Sequence, residues 1–250
     1  MSFVDTRMQL HWAAQAVAGV GRSLLPQQPD DSHSNLQWLR MNRALAGSAF
    51  DDGTRAAIRF RDFTLLVIKD RGLIDEELSL RGLTIDDAFG FFEKYFGKPV
   101  RRPNEAEALP APPPSTFDPN AADLARLDRL YDDADFVLNA YRAKHANASE
   151  VRCWPHHFDI ATLQSCGEGR SIGAGFVPGD DHYAEPYWYV TPYPYPEDRA
   201  GYPSPPIGMC HLEPWFGAVH RGDVSREEAL EFLETAAAHF APIVSTRLPG

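Results

Sequence analysis

The sequence predicts an α+β protein in which antiparallel sheets carry flanking helices, arranged as two similar helix–strands–helix halves. Short strand-like runs follow one another with connections too brief for crossover helices, which favours antiparallel pairing. Helical patterns occur at both ends and around the middle of the chain. The segments "LSLRGLTIDDAFGFFEKYF" (78–96) and "GAVHRGDVSREEALEFLETAAAHF" (217–240) share one order of strand, Arg-Gly, hydroxyl cap, acidic pair and helix, although capped helices after strands also share these residues by chance.

Residues 1–97 predict an N-terminal helix, antiparallel strands and a second helix. An amphipathic run over about 8–25 predicts the first helix, and the turn-forming "PQQPDDSHSN" follows it. Strand-like runs come next, namely "LQWLRMNRALA", "AAIRF", "FTLLVIKD" and "EELSLRG". Thr84 as N-cap, Asp87 three residues later and Gly97 as terminator predict the second helix.

A proline-rich segment separates this part from the rest of the chain. Residues 98–120 hold seven prolines and few apolar residues, which is typical of a linker or an extended surface strap. Residues 121–250 then predict a long helix over about 121–146, antiparallel strands, and a C-terminal helix whose capping box begins at Ser225. The strands are expected in "VRCWPHHFDIATL", "SIGAGFV", "PYWYVTPY" and "MCHLEPWFGAVH". We expect 121–250 to form one compact unit with 1–97.

Composition restricts the partners and the compartment. The chain has 24 Lys and Arg against 35 Asp and Glu, a net charge of −11. Because binding to phosphate needs clustered cations, we expect neither nucleic acid nor membrane as a partner, and a small molecule is the candidate partner. Three cysteines without a C-x-x-C pair, and an N-terminal run that predicts a helix rather than a signal peptide, favour the cytoplasm. No sequence feature predicts the oligomeric state.

Two imidazole–carboxylate pairs suggest a metal site. On a strand, residues two apart share a face, so His157 would lie beside Asp159, and His211 beside Glu213. If their strands were neighbours, the four groups would converge. Mixed imidazole and carboxylate ligands suit zinc, iron, manganese or nickel, so a divalent metal is the candidate cofactor.

Two other interpretations of these residues stay open. A metal-free site would use His157, Asp159, His211 and Glu213 as acid–base groups, with Asp180 and Glu185 as further catalytic candidates that orient them. Alternatively, the histidines are structural and only satisfy hydrogen bonds in the protein interior. Both H-x-D and H-x-E are patterns of low specificity, so spacing alone does not choose among the three interpretations.

Aromatic residues form a second feature beside this polar cluster. Tyr187 and Tyr189 share one face of a predicted strand, with Trp188 on the other. Such residues suit half-buried sheet positions and pack a core. The other interpretation is a binding wall in which Tyr187 and Tyr189 contact a ligand, with the irregular loop 192–206 as a lid.

Several motifs resemble those of a bacterial protein family of unknown function. They are "LHWAAQAVAGVGRSLLP", "DDSHSNLQW", "WPHHFDIAT" (154–162) and "PGDDHYAEPYWYVTP" (178–192), so the resemblance spans most of the chain. It singles out Trp154, which joins the ligand-binding candidates, together with His157, Asp159, Asp180, Glu185 and Tyr187. It favours His156 and His182 less. The resemblance implies residues but no reaction.

We therefore predict a small-molecule enzyme with a His/carboxylate pocket, metal-dependent or metal-free. The alternative is a non-catalytic protein that binds a small molecule or whose histidines are hydrogen-bonded core residues.

Overall fold

The structure is a computed structural model that describes residues 2–104, 109 and 111–245. Its helices are α1 (Phe3–Leu24), α2 (Ile85–Phe96), α3 (Ala121–Lys144) and α4 (Arg226–Ser245). Its strands are β1 (Leu36–Leu39), β2 (Ala44–Gly47), β3 (Arg55–Arg59), β4 (Thr64–Ile68), β5 (Ile74–Ser79), β6 (Arg152–Trp154), β7 (Asp159–Gly167), β8 (Arg170–Val177), β9 (Tyr187–Tyr193), β10 (Met209–His211) and β11 (Gly217–Arg221). All strand pairs described are antiparallel, which confirms the predicted α+β class.

The chain divides into two compact units. Unit 1 is Met1–Asp132 with Arg152–Phe158, and unit 2 is Asp133–Val151 with Asp159–Gly250. In chain order, unit 1 holds α1, β1 to β5, α2, the first half of α3 and β6, and unit 2 holds the rest of α3, β7 to β11 and α4. The division falls within α3, so the turns of this helix on either side of Asp132 belong to different units.

Unit 1 is a meander covered by helices. Its strands lie in the order β6, β1, β2, β3, β4, β5, and α1 packs on α2, β2 and β3. Helix α1 begins with a capping box between Ser2 and Asp5 and ends where Leu25 turns extended ahead of Pro26. The prediction of one strand over "LQWLRMNRALA" is wrong: a turn at 40–43 divides it into β1 and β2, with Arg43 left-handed at φ 53°.

The described residues of the proline-rich segment lie along unit 1. The Trp12 indole donates to the Ala111 carbonyl at 3.0 Å, and the buried Phe117 exchanges backbone hydrogen bonds with Gly82 and Leu83. This part of the segment is therefore fixed against the unit, as a strap is. Residues 105–108 and 110 of the segment lie outside the described residues.

Unit 2 has the strand order β7, β8, β9, β11, β10, with α4 packed on β8 and β9. The strands predicted over "VRCWPHHFDIATL" and "MCHLEPWFGAVH" are each interrupted. Residues 155–158 form a turn between β6 and β7, and residues 212–216 separate β10 from β11. Within the described parts of the chain, no helix combines the length and the apolar character needed to cross a membrane.

Candidate functional site

His157 lies in the turn of residues 155–158 and not on a strand. The Phe158 backbone N–H donates to the Trp154 carbonyl at 2.7 Å, and Phe158 adopts a left-handed φ of 58°. This closes the turn with Phe158 buried and His157 exposed. The expectation that His157 and Asp159 share a strand face is therefore wrong, because side chains alternate regularly only along extended backbone.

Asp159 opens β7 and binds a tyrosine hydroxyl. It is buried, and its Oδ2 accepts a hydrogen bond from the Tyr189 hydroxyl at 2.6 Å. Tyr189 is on β9, where it is opposite Gly175 of β8, which is in turn opposite Ala161 of β7. A Cβ at Gly175 would come within 2.6 Å of the Tyr189 ring. The missing side chain thus lets Tyr189 lie across β8 and reach the carboxylate on β7.

Asp180 and Tyr187 make a second pair of the same kind. The Tyr187 hydroxyl donates to Asp180 Oδ2 at 2.6 Å. The other carboxylate oxygen accepts the backbone N–H groups of His182 and Tyr183, each at 2.8 Å. Such a turn orients a short acidic side chain rigidly. Asp180 therefore holds both the Tyr187 hydroxyl and the backbone of its own loop.

His211 ends β10 and is fixed by two rings. Its imidazole stacks on Trp215 with ring centroids 4.1 Å apart, and its Nδ1 lies 2.9 Å from the Tyr183 hydroxyl. The Nε2 atom is buried, and within the described part of the chain it has no hydrogen-bond partner. Burial lowers the pKa of His211, and the nearby His182 lowers it further, against the opposing charges of Asp180 and Glu213. The lowered pKa favours the neutral ring.

The tyrosines keep their protons over a wide pH range. Burial raises the pKa of Tyr187 above its ordinary value, as does the adjacent Asp180. Burial and Asp159 likewise raise the pKa of Tyr189 well above 10. Both phenols therefore remain donors to their carboxylates. The rings pack with Val177 and Val219, so this part of the aromatic wall is filled by its own side chains.

The four predicted metal ligands do not form a metal site. Glu213 is exposed, with Oε1 3.8 Å from Arg199 Nη1, and Glu185 is exposed as well. Across the residues that the structure describes, no group of three or more His, Cys, Asp or Glu side chains is placed to hold a metal ion. The predicted residues that do contact one another or common neighbours in unit 2 are Asp159, Asp180, Tyr187, Tyr189 and His211.

The cluster in unit 2 also contains residues that the sequence analysis missed. Tyr183 and Trp215 hold the His211 ring, and Gly175 makes room for Tyr189. The spacing Asp180-x-x-Tyr183 is the signal that was available, since an aspartate often accepts hydrogen bonds from backbone amides shortly after it. Trp215 has no comparable signal in the sequence. It reaches His211 only because residues 212–216 turn the chain back.

Trp154 belongs to unit 1, where it lines a cavity of about 530 Å³. The lining also includes Gln15, Arg22, Asn35 and His156. His156 is exposed, and its ring is 6.2 Å from the Trp154 ring. The predicted ligand-binding candidate thus borders a space large enough for a small molecule.

No family model, no curated protein and no solved structure matches the chain. The resemblance to a bacterial family therefore stays a prediction, and the case for a function comes from the geometry of the two units.

Proposed function

We propose that the chain is a small-molecule enzyme that uses His211 as its acid–base group, at a site built from the tyrosine–carboxylate pairs of unit 2. One observation carries the proposal. The His211 ring is oriented through Nδ1 by Tyr183 and through its face by Trp215, while Nε2 is buried without a partner among the described residues. A buried polar atom without a partner is costly, and active sites are one place where that cost is tolerated.

The chemistry follows from the two tautomers of the imidazole. With its proton on Nδ1, His211 donates to the Tyr183 oxygen and presents a lone pair at Nε2, as a general base does. With its proton on Nε2, Nδ1 accepts from the Tyr183 hydroxyl and Nε2 is a hydrogen-bond donor. The lowered pKa favours the neutral ring before reaction, so Nε2 takes a proton from the substrate as a general base, and the imidazolium that forms returns it as a general acid.

The tyrosine–carboxylate pairs supply rigidity around this group. Asp159 fixes the Tyr189 hydroxyl, and the Tyr189 ring contacts Trp215 with centroids 6.0 Å apart. Asp180 fixes Tyr187 and the backbone of Tyr183, which in turn contacts His211. The residues around His211 are thus held in place by two carboxylates, the buried Asp159 and the half-buried Asp180. Because Nε2 is covered, the proposal requires the exposed loop that carries His182 to move when a substrate enters.

The test is a comparison of variants on a mixture of small molecules. Wild-type protein, His211→Asn and the control His239→Asn are each incubated with a cell-extract metabolite mixture, and mass spectrometry follows every compound. His239 is a suitable control because its imidazole binds the Pro203 carbonyl on another part of unit 2. We expect the wild type and His239→Asn to deplete the same compound, and His211→Asn to deplete it at least about 100-fold more slowly.

Two outcomes would overturn the proposal. One is that His211→Asn, shown to be folded by its cooperative unfolding, depletes the compound as fast as the wild type. The other is that no compound changes with the wild type. The second outcome would favour the structural alternative, which the 2.6 Å bonds of Asp159 and Asp180 also support because they satisfy the tyrosines internally. In that case His211→Asn changes stability alone.

A further inference from the structure

The cavity in unit 1 has the composition of a ligand site that is separate from His211. It has a volume of about 530 Å³, within the range of small-molecule pockets. The C-terminal half of α1 contributes Gln15 and Arg22 to its lining, and Asp31 and residues 33–35 contribute a second side. Trp154 and Pro155 add an apolar wall. The cavity therefore combines a few polar groups with one aromatic surface, as small-molecule sites do.

Asn35 gives the cavity an unsatisfied acceptor. Asn35 lines the cavity and is only 2% exposed, and its Oδ1 has no hydrogen-bond partner within the described part of the chain. Leaving a buried acceptor unpaired costs free energy that a ligand N–H or O–H would recover. Asn35 thus indicates a ligand that carries a hydrogen-bond donor.

Other lining groups are donors. The backbone N–H of Gln28 donates to His33 Nδ1 at 3.3 Å, so the proton of the His33 ring lies on Nε2, which is a donor. Arg22 donates from Nη1 and Nη2 to Gln15 at 3.2 and 3.1 Å, which fixes its guanidinium at the cavity. Arg101 is on the exposed side of the lining.

The charges of the lining differ in sign from those of the whole chain. Among the described lining residues, two arginines, Arg22 and Arg101, and one acid, Asp31, sum to one positive charge before any histidine is counted. The chain as a whole carries −11. A positive lining within an acidic protein favours an anion.

We propose that this cavity binds a small molecule with an anionic oxygen group, phosphate or carboxylate, and at least one hydroxyl or amino donor. The arginines bind the anionic group, Asn35 Oδ1 accepts from the donor, and Trp154 packs against the carbon skeleton. Neither the tyrosine–carboxylate pairs nor His211 take part, so this site is independent of the proposed enzyme activity.

The experiment uses pairs of probes that differ in their hydroxyl groups. Isothermal titration calorimetry compares glycerol 3-phosphate with propyl phosphate, and glycerate with propionate, on the full chain at low salt. We expect at least one hydroxylated probe to bind at millimolar concentration or below and about tenfold more tightly than its partner without hydroxyls. Which of the two hydroxylated probes binds more tightly distinguishes a phosphate ligand from a carboxylate ligand.

Three variants connect the binding to the cavity. Asn35→Leu should bring the two members of a pair to nearly equal affinity. Arg101→Gln, which changes an exposed side chain, should weaken both members by a similar factor. His211→Asn should bind the probes as the wild type does. The proposal is overturned if neither hydroxylated probe binds, if each hydroxylated probe binds no better than its partner, or if Arg101→Gln leaves every affinity unchanged.

Discussion

His11 makes the stability of the protein sensitive to acid. The ring is buried in α1 and stacked on Phe158 with centroids 4.6 Å apart, and Nε2 lies 2.6 Å from the Pro155 carbonyl. Burial lowers the pKa of His11 from 6.5 to about 4, and the nearby Arg7 and His157 oppose its protonation as well. The unfolded chain therefore takes up a proton at a higher pH than the folded chain does. This contribution to stability is complete above pH 6.5 and is lost as the pH falls towards 4.

The size of the loss follows from the two pKa values. Each pH unit between 6.5 and about 4 removes about 1.4 kcal/mol from the free energy of unfolding, so the whole interval removes about 3.5 kcal/mol. Between about pH 7 and about pH 5 the expected loss is about 2 kcal/mol. His11→Gln is the perturbation of choice, because its amide still donates a hydrogen bond but does not titrate in this range.

The assay is urea unfolding of the wild type and of His11→Gln at the two pH values, with His239→Gln as the matched control. We expect the stability of the wild type to fall by about 2 kcal/mol more than that of His11→Gln. His239→Gln should follow the wild type, since it leaves His11 in place. A parallel fall in all three proteins would refute the reasoning. So would a proton NMR titration in which the His11 ring has its midpoint between pH 6 and 7, near the ordinary value of 6.5.

Three further predictions concern the unit 2 cluster. Tyr189→Phe should lower the free energy of unfolding by about 1.5–3 kcal/mol, because it removes the hydroxyl that donates to buried Asp159. A double-mutant cycle with Asp159→Asn measures the coupling energy between the two side chains, and a value near zero would contradict the prediction. Because the pKa values of Tyr187 and Tyr189 are raised in the fold, the free energy of unfolding should fall above pH 10 by about 1.4 kcal/mol per pH unit for each tyrosine. Urea unfolding of Tyr187→Phe should show a shallower fall with pH than the wild type does. The same slope in both proteins would contradict this prediction. Gly175→Ala should lower the free energy of unfolding by about 1–3 kcal/mol, measured by thermal unfolding, because the new Cβ would displace the Tyr189 ring. The control is Gly90→Ala on α2, whose Cβ meets nothing within 4 Å and should not destabilise the protein. Equal effects of the two variants would argue against a Tyr189 ring that lies across β8.

The features that were predictable from sequence are local ones. Thr84 and Asp87 form the predicted capping box, and Gly97 ends α2 in the left-handed conformation. Ser225 Oγ accepts the backbone N–H of Glu228 at the start of α4, as its position predicts. The predicted long helix is α3, and its apolar residues at helical spacing are all buried, namely Leu124, Leu127, Tyr131, Ala134, Leu138 and Tyr141. Caps and stripes depend on residues within one or two turns of helix, so one segment contains all the information.

The boundaries between strands were less predictable, because several turns lack the usual turn residues. Arg43, Phe63 and Phe158 adopt left-handed backbone conformations that glycine or asparagine adopts more readily. Tertiary contacts stabilise these conformations. Arg43 forms ion pairs with Asp128 at 2.6 Å and Asp132 at 2.8 Å. These contacts join residues far apart in the chain, so the hairpin of β1 and β2 appears in the sequence as a single strand.

The contacts of the candidate site were also not predictable from the spacing within single strands. Spacing along one strand paired imidazoles with carboxylates, whereas in unit 2 the carboxylates receive tyrosine hydroxyls from another strand or from across a loop. The decisive residue for Asp159 is Gly175, which lies between it and Tyr189 in the sheet register and has no side chain to block the ring. A contact that crosses an intervening strand depends on three strands at once, and the period of two within any one of them carries no trace of it. Knowledge of the sheet register would have identified the pair of Tyr189 and Asp159. A glycine that lies on the same face, between a long aromatic donor and a buried acceptor, leaves the space that the aromatic side chain needs.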